Sequence, residues 1–314
     1  MKKIEAPIKR GGSKKRARRQ NLLFFAYISP WLTGFAAFTI LPMVLSLIFS
    51  FTSVSMASVT SKPWEFVGLQ NYIRIFTEDE NFHQALINTF AYAFIKVFLM
   101  VAFALLVSLL LNAKILGRKV FRIMIYLPAI IPSVSVALLW KLIFTGGEFN
   151  IANYLLSYLG IQPVNFFGNG VSAMGTLIFV GIWSGLGPNM LVLLAALQNV
   201  PKDLIEAAEL DGANVFQRFF HITIPCITPA LVFSILTGLI GSLQTYVESK
   251  LLTGGGPGIS TTTTSMLIVG NAFKTIGNKT LGYASAQGWI VFAITFVLTL
   301  VYFLYRHKKE KVDK

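Results

Sequence analysis

The chain has little of what most chemistry requires. One cysteine, Cys226, and three histidines are spread over 314 residues. A single cysteine excludes an intramolecular disulfide and any multi-cysteine metal site. Cys226 follows Pro225 in an apolar run and reads as a small packing residue. His83, His221 and His307 are far apart and form no metal-ligand spacing, and no constellation of nucleophile and base is visible. A nucleotide-binding P-loop needs G-x-x-x-x-G-K-[ST], because backbone N–H groups and a lysine must cradle the phosphates. Gly277-Asn278-Lys279-Thr280 lacks the Gly-Lys pair, and Gly254–Gly258 has no lysine. The chain therefore reads as a non-enzyme with no cofactor or metal of its own. Charge is scarce too, at 13% of residues, about half the usual soluble value.

What is abundant is apolar surface. Hydrophobic residues make up 54% of the chain, and the mean hydropathy of +0.66 excludes a soluble globular domain. Basic residues outnumber acidic ones by 27 to 13, but 14 of the 27 lie in Met1–Gln20 and Arg306–Lys314. Basic ends flanking apolar runs are anchors against anionic lipid rather than a nucleic-acid surface. Six runs reach the ~20 apolar residues needed to cross a bilayer, at roughly 22–51, 85–111, 121–145, 172–197, 225–248 and 286–305. The first is too long for one straight crossing and contains Pro30 and Pro42, so a kink, a tilt or a short interfacial helix must absorb the excess. It has no small-residue cleavage site and reads as a span rather than a signal peptide.

These runs predict an all-α membrane protein with six transmembrane helices. The organisation expected is a basic tail (1–21), a membrane domain (22–305) and a second basic tail (306–314). With the N-terminus inside, twenty Lys and Arg fall in cytoplasmic segments and five in outer ones. That asymmetry places both termini in the cytoplasm. In the outer segments, Trp64–Arg74 reads as a short surface helix with an aromatic anchor, followed by the acidic Glu78, Asp79 and Glu80, and Ile151–Leu159 has a short helical pattern. Lys96 is the only ionisable residue well inside a span; it must snorkel outward or face a wet cavity, and no acidic relay accompanies it.

One cytoplasmic loop, 198–224, breaks the charge rule of its compartment. Asp203, Glu206, Glu209 and Asp211 outnumber Lys202 and Arg218. Pro201 suits an early helical position, Asp203 and Glu206 have capping-box spacing, Gly212 is placed to end the helix, and Asn214 to start another. The predicted result is a helix–turn–helix on the membrane face, serving either as a contact surface or as a well-capped connector.

Glu206-Ala207-Ala208, Asp211-Gly212-Ala213 and Ile222 with Ile224-Pro225 resemble the signature loop of ABC importer permeases, with Ile224 in place of the usual leucine. Asn88-Thr89, Leu127-Pro128, Trp140-Lys141, Trp183 with Gly185, Thr253–Pro257 and Tyr283–Ala286 extend the resemblance to permeases of the maltose and glycerol-phosphate type over about 22–305. The resemblance implies the type I importer permease fold in a bacterial or archaeal cytoplasmic membrane. It also implies partners: a second homologous permease, forming a heterodimer, two copies of an ATPase that bind ATP and Mg, and an extracytoplasmic solute-binding protein. On this reading Asp203, Glu206, Ala207, Ala208, Asp211, Gly212 and Ala213 dock into the ATPase. The outer loops, Thr253–Gly258 among them, meet the binding protein.

A carbohydrate path needs amides, hydroxyls and aromatic faces. Trp183, Ser184 and Asn189 offer them on span four, where Gly185, Gly187 and Pro188 are expected to open the helix. Ser242, Gln244, Thr245, Tyr246 and Glu248 offer them on span five, and the resemblance sets Gln244 and Thr245 at asparagine positions of the maltose permease's sugar site. The same residues could instead be polar glue between helices, and the partner permease could hold the main contacts. A channel or ion-gradient-driven carrier is the alternative to an ATP-driven importer.

Overall fold

A computed structural model describes residues 13–56, 64–113, 115–146, 149–273 and 280–312. The extreme basic ends, Gly147 and Gly277–Lys279 lie outside these residues. Helix α1 (Ser13–Phe35) passes through a π-turn (Ala36–Ile40) into α2 (Leu41–Ser50), and α3 (Gln70–Thr77) precedes the long α4 (Glu80–Asn112). Next come α5 (Arg118–Tyr126), a 3-10 turn (Leu127–Ile130), α6 (Ser133–Phe144), α7 (Ile151–Ser157) and α8 (Gly170–Gln198). The remainder is α9 (Lys202–Leu210), α10 (Val215–Arg218), a π-turn (Phe219–Thr223), α11 (Ile224–Leu243), a π-turn (Ser249–Thr253), α12 (Thr264–Ala272) and α13 (Leu281–Val312).

Among the described residues, five helices are long and apolar enough to cross a membrane: Asn21–Ser50, Glu80–Asn112, Gly170–Gln198, Val215–Leu243 and Leu281–Leu304. The sixth expected crossing, 121–145, is not one straight helix. Arg118–Ile130 and Ser133–Phe144 meet at a bend of 99°. Pro132 supplies no N–H, and Ile131 before it is extended (φ −73°, ψ 132°) as a residue preceding proline prefers. Prolines also mark two of the π-turns, which end two residues before Pro42 and Pro225. A proline leaves the carbonyl one turn back without its donor, and the wider turn takes up that defect. The long first run is thus one continuous helical path rather than a span with a separate interfacial helix.

The bundle is built on α4, α8 and α11. Val97, Met100 and Ala104 of α4 pack on Met190, Leu193 and Leu194 of α8, with Ile235 and Leu239 of α11 closing the third side. Glycines let these helices approach closely. At Gly187 an added Cβ would lie 2.7 Å from the Ile125 carbonyl oxygen and from the Tyr126 Cα, so the α5 backbone rests directly on α8. The glycine- and proline-containing part of α8, expected to open, therefore remains helical and serves packing. Buried area is uneven: the most apolar window of Asn21–Ser50 buries none of its residues, whereas that of Gly170–Gln198 buries 44%.

At one end of the bundle a polar hub holds α3, α4, α12 and α13 together. Asp79 is 4% exposed and caps α4 by accepting from the Phe82 N–H at 3.3 Å. Its other oxygen accepts from the Tyr283 hydroxyl at 2.7 Å and from the Gln287 amide at 3.2 Å. Asn271 of α12 donates in turn to Gln287 at 3.0 Å. The expected surface helix in this segment exists as α3, yet Asn71 and Ile75 are buried, and Asp79 is an interior group rather than part of an exposed acidic run.

Candidate functional site

Two regions carry the residues that the sequence singles out. The first is the elbow between α8 and the helix of span five. Pro201 occupies the N-cap of α9, so Asp203 and Glu206 fall inside the helix and the expected capping box between them is absent. Asp203 lies instead in the first turn, where a carboxylate complements the helix dipole. Glu206 is exposed, and no hydrogen bond or ion pair reaches it among the described residues; it is not consumed by its own helix terminus.

The elbow's far side is strongly specified. Gly212 adopts φ +81°, Ala213 N–H donates to the Ala208 carbonyl at 2.9 Å and Gly212 N–H to the Glu209 carbonyl at 3.1 Å. These two bonds form a Schellman cap, for which glycine is the ordinary choice. The capping box forms one step later. Gln217 N–H donates to Asn214 Oδ1 at 2.9 Å, and Asn214 N–H to Gln217 Oε1 at 2.8 Å. An Arg218–Glu209 ion pair ties the two arms together. Ile205, Ile222 and Ile224 pack the elbow onto Leu197, Val200 and Ile227 at the end of the bundle. The outward side presents Glu206, Ala207 and Asp211 beside Leu210 and Phe216, which are 90% and 75% exposed.

The second region is a break in span five. The helix that begins at Val215 stops after Leu243, short of the 225–248 expected. Gln244 and Thr245 close it with bonds to Gly241 O and Ser242 O, both at 3.3 Å. Irregular backbone at membrane depth is tolerated only where it is buried in protein or lines a wet cavity. Here the break is buried in protein on one side and opens on a cleft on the other. Gln244 is exposed and lines a cleft of about 370 Å³ with Gly288, Phe292, Thr295, Phe296 and Thr299 of α13. Thr245 is buried and donates to Glu248 Oε2 at 3.0 Å, while its carbonyl accepts from Thr263 at 2.8 Å.

Lys96 joins this break from the centre of α4. Its ammonium donates to the fully buried Ser242 Oγ at 3.1 Å and lies 5.5 Å from the Tyr92 ring centroid. The side chain is half-buried and turned inward, so it does not snorkel along the lipid face. Ser242, Thr245 and Glu248 therefore meet Lys96 and Tyr92 at one place. Trp183 and Asn189 do not join them. Trp183 packs edge-on against Trp140 at 5.3 Å, and Asn189 donates to the Gly185 carbonyl of its own helix at 2.9 Å and towards Met100 Sδ at 3.5 Å. Tyr246 is half-buried beside the break, where its carbonyl accepts from Lys250 N–H at 2.8 Å.

Sequence reasoning missed how the following loop is fixed. Asn88 donates to the carbonyls of Ile259 and Thr262 at 2.7 and 3.1 Å, and Thr89 accepts from Thr264 N–H at 2.9 Å. Ser249, Thr253 and Thr261 are linked by hydroxyl bonds of 2.6–2.9 Å. The glycine-rich Thr253–Gly258 stretch is thus pinned to α4 through its flanks, and only Gly254, Pro257 and Gly258 in it are exposed. The run of four consecutive threonines, Thr261–Thr264, after a glycine-rich stretch was the available signal.

Comparison with known proteins agrees with this architecture. Residues 100–309 match the family described as binding-protein-dependent transport system inner membrane component. The probable ABC transporter permease protein YesP of Bacillus subtilis is 39% identical over 290 residues, covering 91% of each chain. The arabinooligosaccharides transport system permease protein AraP of Halalkalibacterium halodurans is 34% identical and covers 90% of this chain and 86% of its own. The trehalose/maltose transport system permease protein MalF of Thermococcus litoralis is also 34% identical, covering 90% of this chain and 93% of its own. Among solved structures, a bacterial ABC transporter involved in the import of the acidic polysaccharide alginate superposes with a TM-score of 0.71 at 23% identity. It covers 95% of this chain and 99% of its own, and shares the fold. The chain belongs to the family of inner-membrane permease components of binding-protein-dependent transport systems.

Proposed function

We infer that this chain is one permease subunit of an ATP-driven importer for a sugar or oligosaccharide, and that the elbow is its coupling element. The relatives named for arabinooligosaccharides and for trehalose and maltose support the substrate class. The observation that carries the coupling role is the exposed Glu206, without a hydrogen-bond or ion-pair partner among the described residues, on an ion-paired elbow beside exposed apolar side chains. Docked in a cleft of a separate ATPase, Glu206 would pair with a basic group, Ala207 and Ala208 would permit close seating, and the Gly212 cap would hold the angle. ATP with Mg binds to that ATPase, of which two copies serve a pair of homologous permeases. A solute-binding protein delivers the sugar on the side opposite the elbow. This arrangement sets the elbow and both termini in the cytoplasm, as the basic ends of the sequence favour.

The chemistry needed from this chain is limited. It must offer the sugar hydrogen-bonding groups at the break in span five and transmit the movement of the elbow to them. The unbroken Val215–Leu243 helix connects the two.

Tagged purification in mild detergent tests this reading. The wild-type chain should bring down a P-loop ATPase and a second permease. Glu206→Lys should insert normally yet lose the ATPase and ATP-dependent uptake, since removing one partner of a buried interfacial pair costs ~2–5 kcal/mol. A Glu206→Lys variant that transports normally, or a wild-type chain that moves sugar alone without ATP, would overturn it.

A further inference from the structure

The importer reading leaves Lys96 unexplained. It is the midpoint residue of the 33-residue α4, where an ammonium costs ~2.5–3.5 kcal/mol on membrane-insertion scales. Packing does not require the charge, because an unbranched apolar side chain of similar length would fill the same space. The neighbouring helix is nevertheless cut back where this side chain and Tyr92 pass. A Cβ at Gly181 would stand 2.5 Å from Tyr92 Oη and 3.2 and 3.3 Å from Lys96 Cε and Cδ, so the glycine makes room for the Tyr92–Lys96 pair together.

An ammonium offers three donors, and Ser242 Oγ takes one. The Tyr92 ring covers one side of the charge at 5.5 Å. Among the described residues no carboxylate reaches Lys96 within ion-pair distance. Glu248, the acidic group that acts on it, does so from beyond contact and already accepts the Thr245 hydroxyl at 3.0 Å. An intramembrane cation that is partly satisfied, half-buried and placed at the break in a span is a site by its chemistry.

We propose that Lys96 reads a carboxylate on the transported sugar, so that the substrate class is an acidic oligosaccharide containing uronic acid units. The proposal rests on the sugar-importer reading and narrows it. The carboxylate of one sugar unit meets the free donors of the ammonium, and its ring hydroxyls donate to Glu248 and exchange hydrogen bonds with Gln244. Opposite charges on the two sides of the break fix the orientation of the unit. A neutral sugar entering the same place leaves the free donors of a half-buried ammonium without an anionic acceptor in contact, which selects against it.

The test is uptake by the complete complex in proteoliposomes. Trimers of mannuronate, guluronate, glucuronate and galacturonate are compared with the same trimers after carboxyl reduction, which removes the charge and keeps the rest of the sugar. Calorimetry on the binding protein alone separates its own preference from that of the membrane part. At least one acidic trimer should be taken up about tenfold faster than its reduced form, the scale of one charged hydrogen bond. Lys96→Met should abolish that preference by slowing the acidic trimer, and Lys96→Arg should keep it. Equal uptake of acidic and reduced trimers by the wild type overturns the proposal. So does an equal loss of both in Lys96→Met, which would leave Lys96 as a tie between α4 and Ser242. ATP-dependent uptake of neutral oligosaccharides alone refutes the acidic class while the importer reading stands. Absence of ATP-dependent uptake of any sugar refutes both.

Discussion

Replacing Asp79 by alanine should be among the most damaging changes available outside the elbow and the break. The substitution removes the N-cap of α4, worth ~0.5–2 kcal/mol. It also strands two interior donors, the Tyr283 hydroxyl and the Gln287 amide, which are 1% and 0% exposed as residues. A buried donor left without an acceptor costs ~1–3 kcal/mol. The losses share one group and do not add fully, so ~3–5 kcal/mol is a reasonable total. At ~2–4 °C per kcal/mol, the slope for chains of about 150–250 residues, the midpoint of thermal aggregation in detergent should fall by ~6–20 °C. Tyr283→Phe removes a donor rather than stranding one, and should cost only ~1 kcal/mol. Made in the Asp79→Ala background, it should cost less still, because the hydroxyl has by then lost its acceptor. Size-exclusion chromatography of heated samples measures all three variants. A midpoint for Asp79→Ala within ~2 °C of wild type, or full additivity with Tyr283→Phe, would refute the hub.

Two other perturbations probe how motion and packing are linked. Gly187→Ala should destabilise the protein by ~1–3 kcal/mol, because the new methyl meets the backbone of Ile125 and Tyr126 rather than a movable side chain; a thermal midpoint equal to wild type would contradict the close approach of α5 and α8. Glu209→Lys and Arg218→Glu should each lower the sugar moved per ATP hydrolysed, with ATPase copurification retained. The doubly exchanged chain should recover that ratio. The exposed end of this pair limits its worth to about 1 kcal/mol in stability, so coupling is the sensitive readout, and a double exchange no better than the singles would refute a clamp.

Five crossings were legible because each is an uninterrupted apolar run. The third was only half legible: a hydropathy average over 121–145 does not register that Pro132 turns the chain through 99°. Span five ends early for a related reason. Val247, Leu251 and Leu252 keep the apolar pattern going past Gln244, and the pattern carries no information about where the helical hydrogen bonds stop. In the elbow, Gly212 announced its left-handed cap, whereas Asp203 and Glu206 had the right spacing for a box whose position Pro201 had already taken. Span-four residues were chosen for their amide, hydroxyl and aromatic groups beside Gly185, Gly187 and Pro188. The structure turns Asn189 onto its own backbone and sets Trp183 against Trp140, which spacing along one helix could not reveal. Asp79 stood in the sequence only as one of three acidic residues of an outer segment, and the partners that make it a hub lie more than 200 residues away.

The Val215–Leu243 helix has a mechanical consequence. Twenty-nine residues at a rise of ~1.5 Å give a rod ~43 Å long. A tilt of ~10° about its elbow end sweeps the other end through ~7 Å, about the width of one sugar ring. The rod is not uniformly stiff, since the π-turn at Phe219–Thr223 lies just beyond the clamped corner. Small displacements at the elbow can therefore be spent in two ways, by bending at that turn or by swinging Gln244. The packing of Ile222 and Ile224 onto the bundle end decides the division between them.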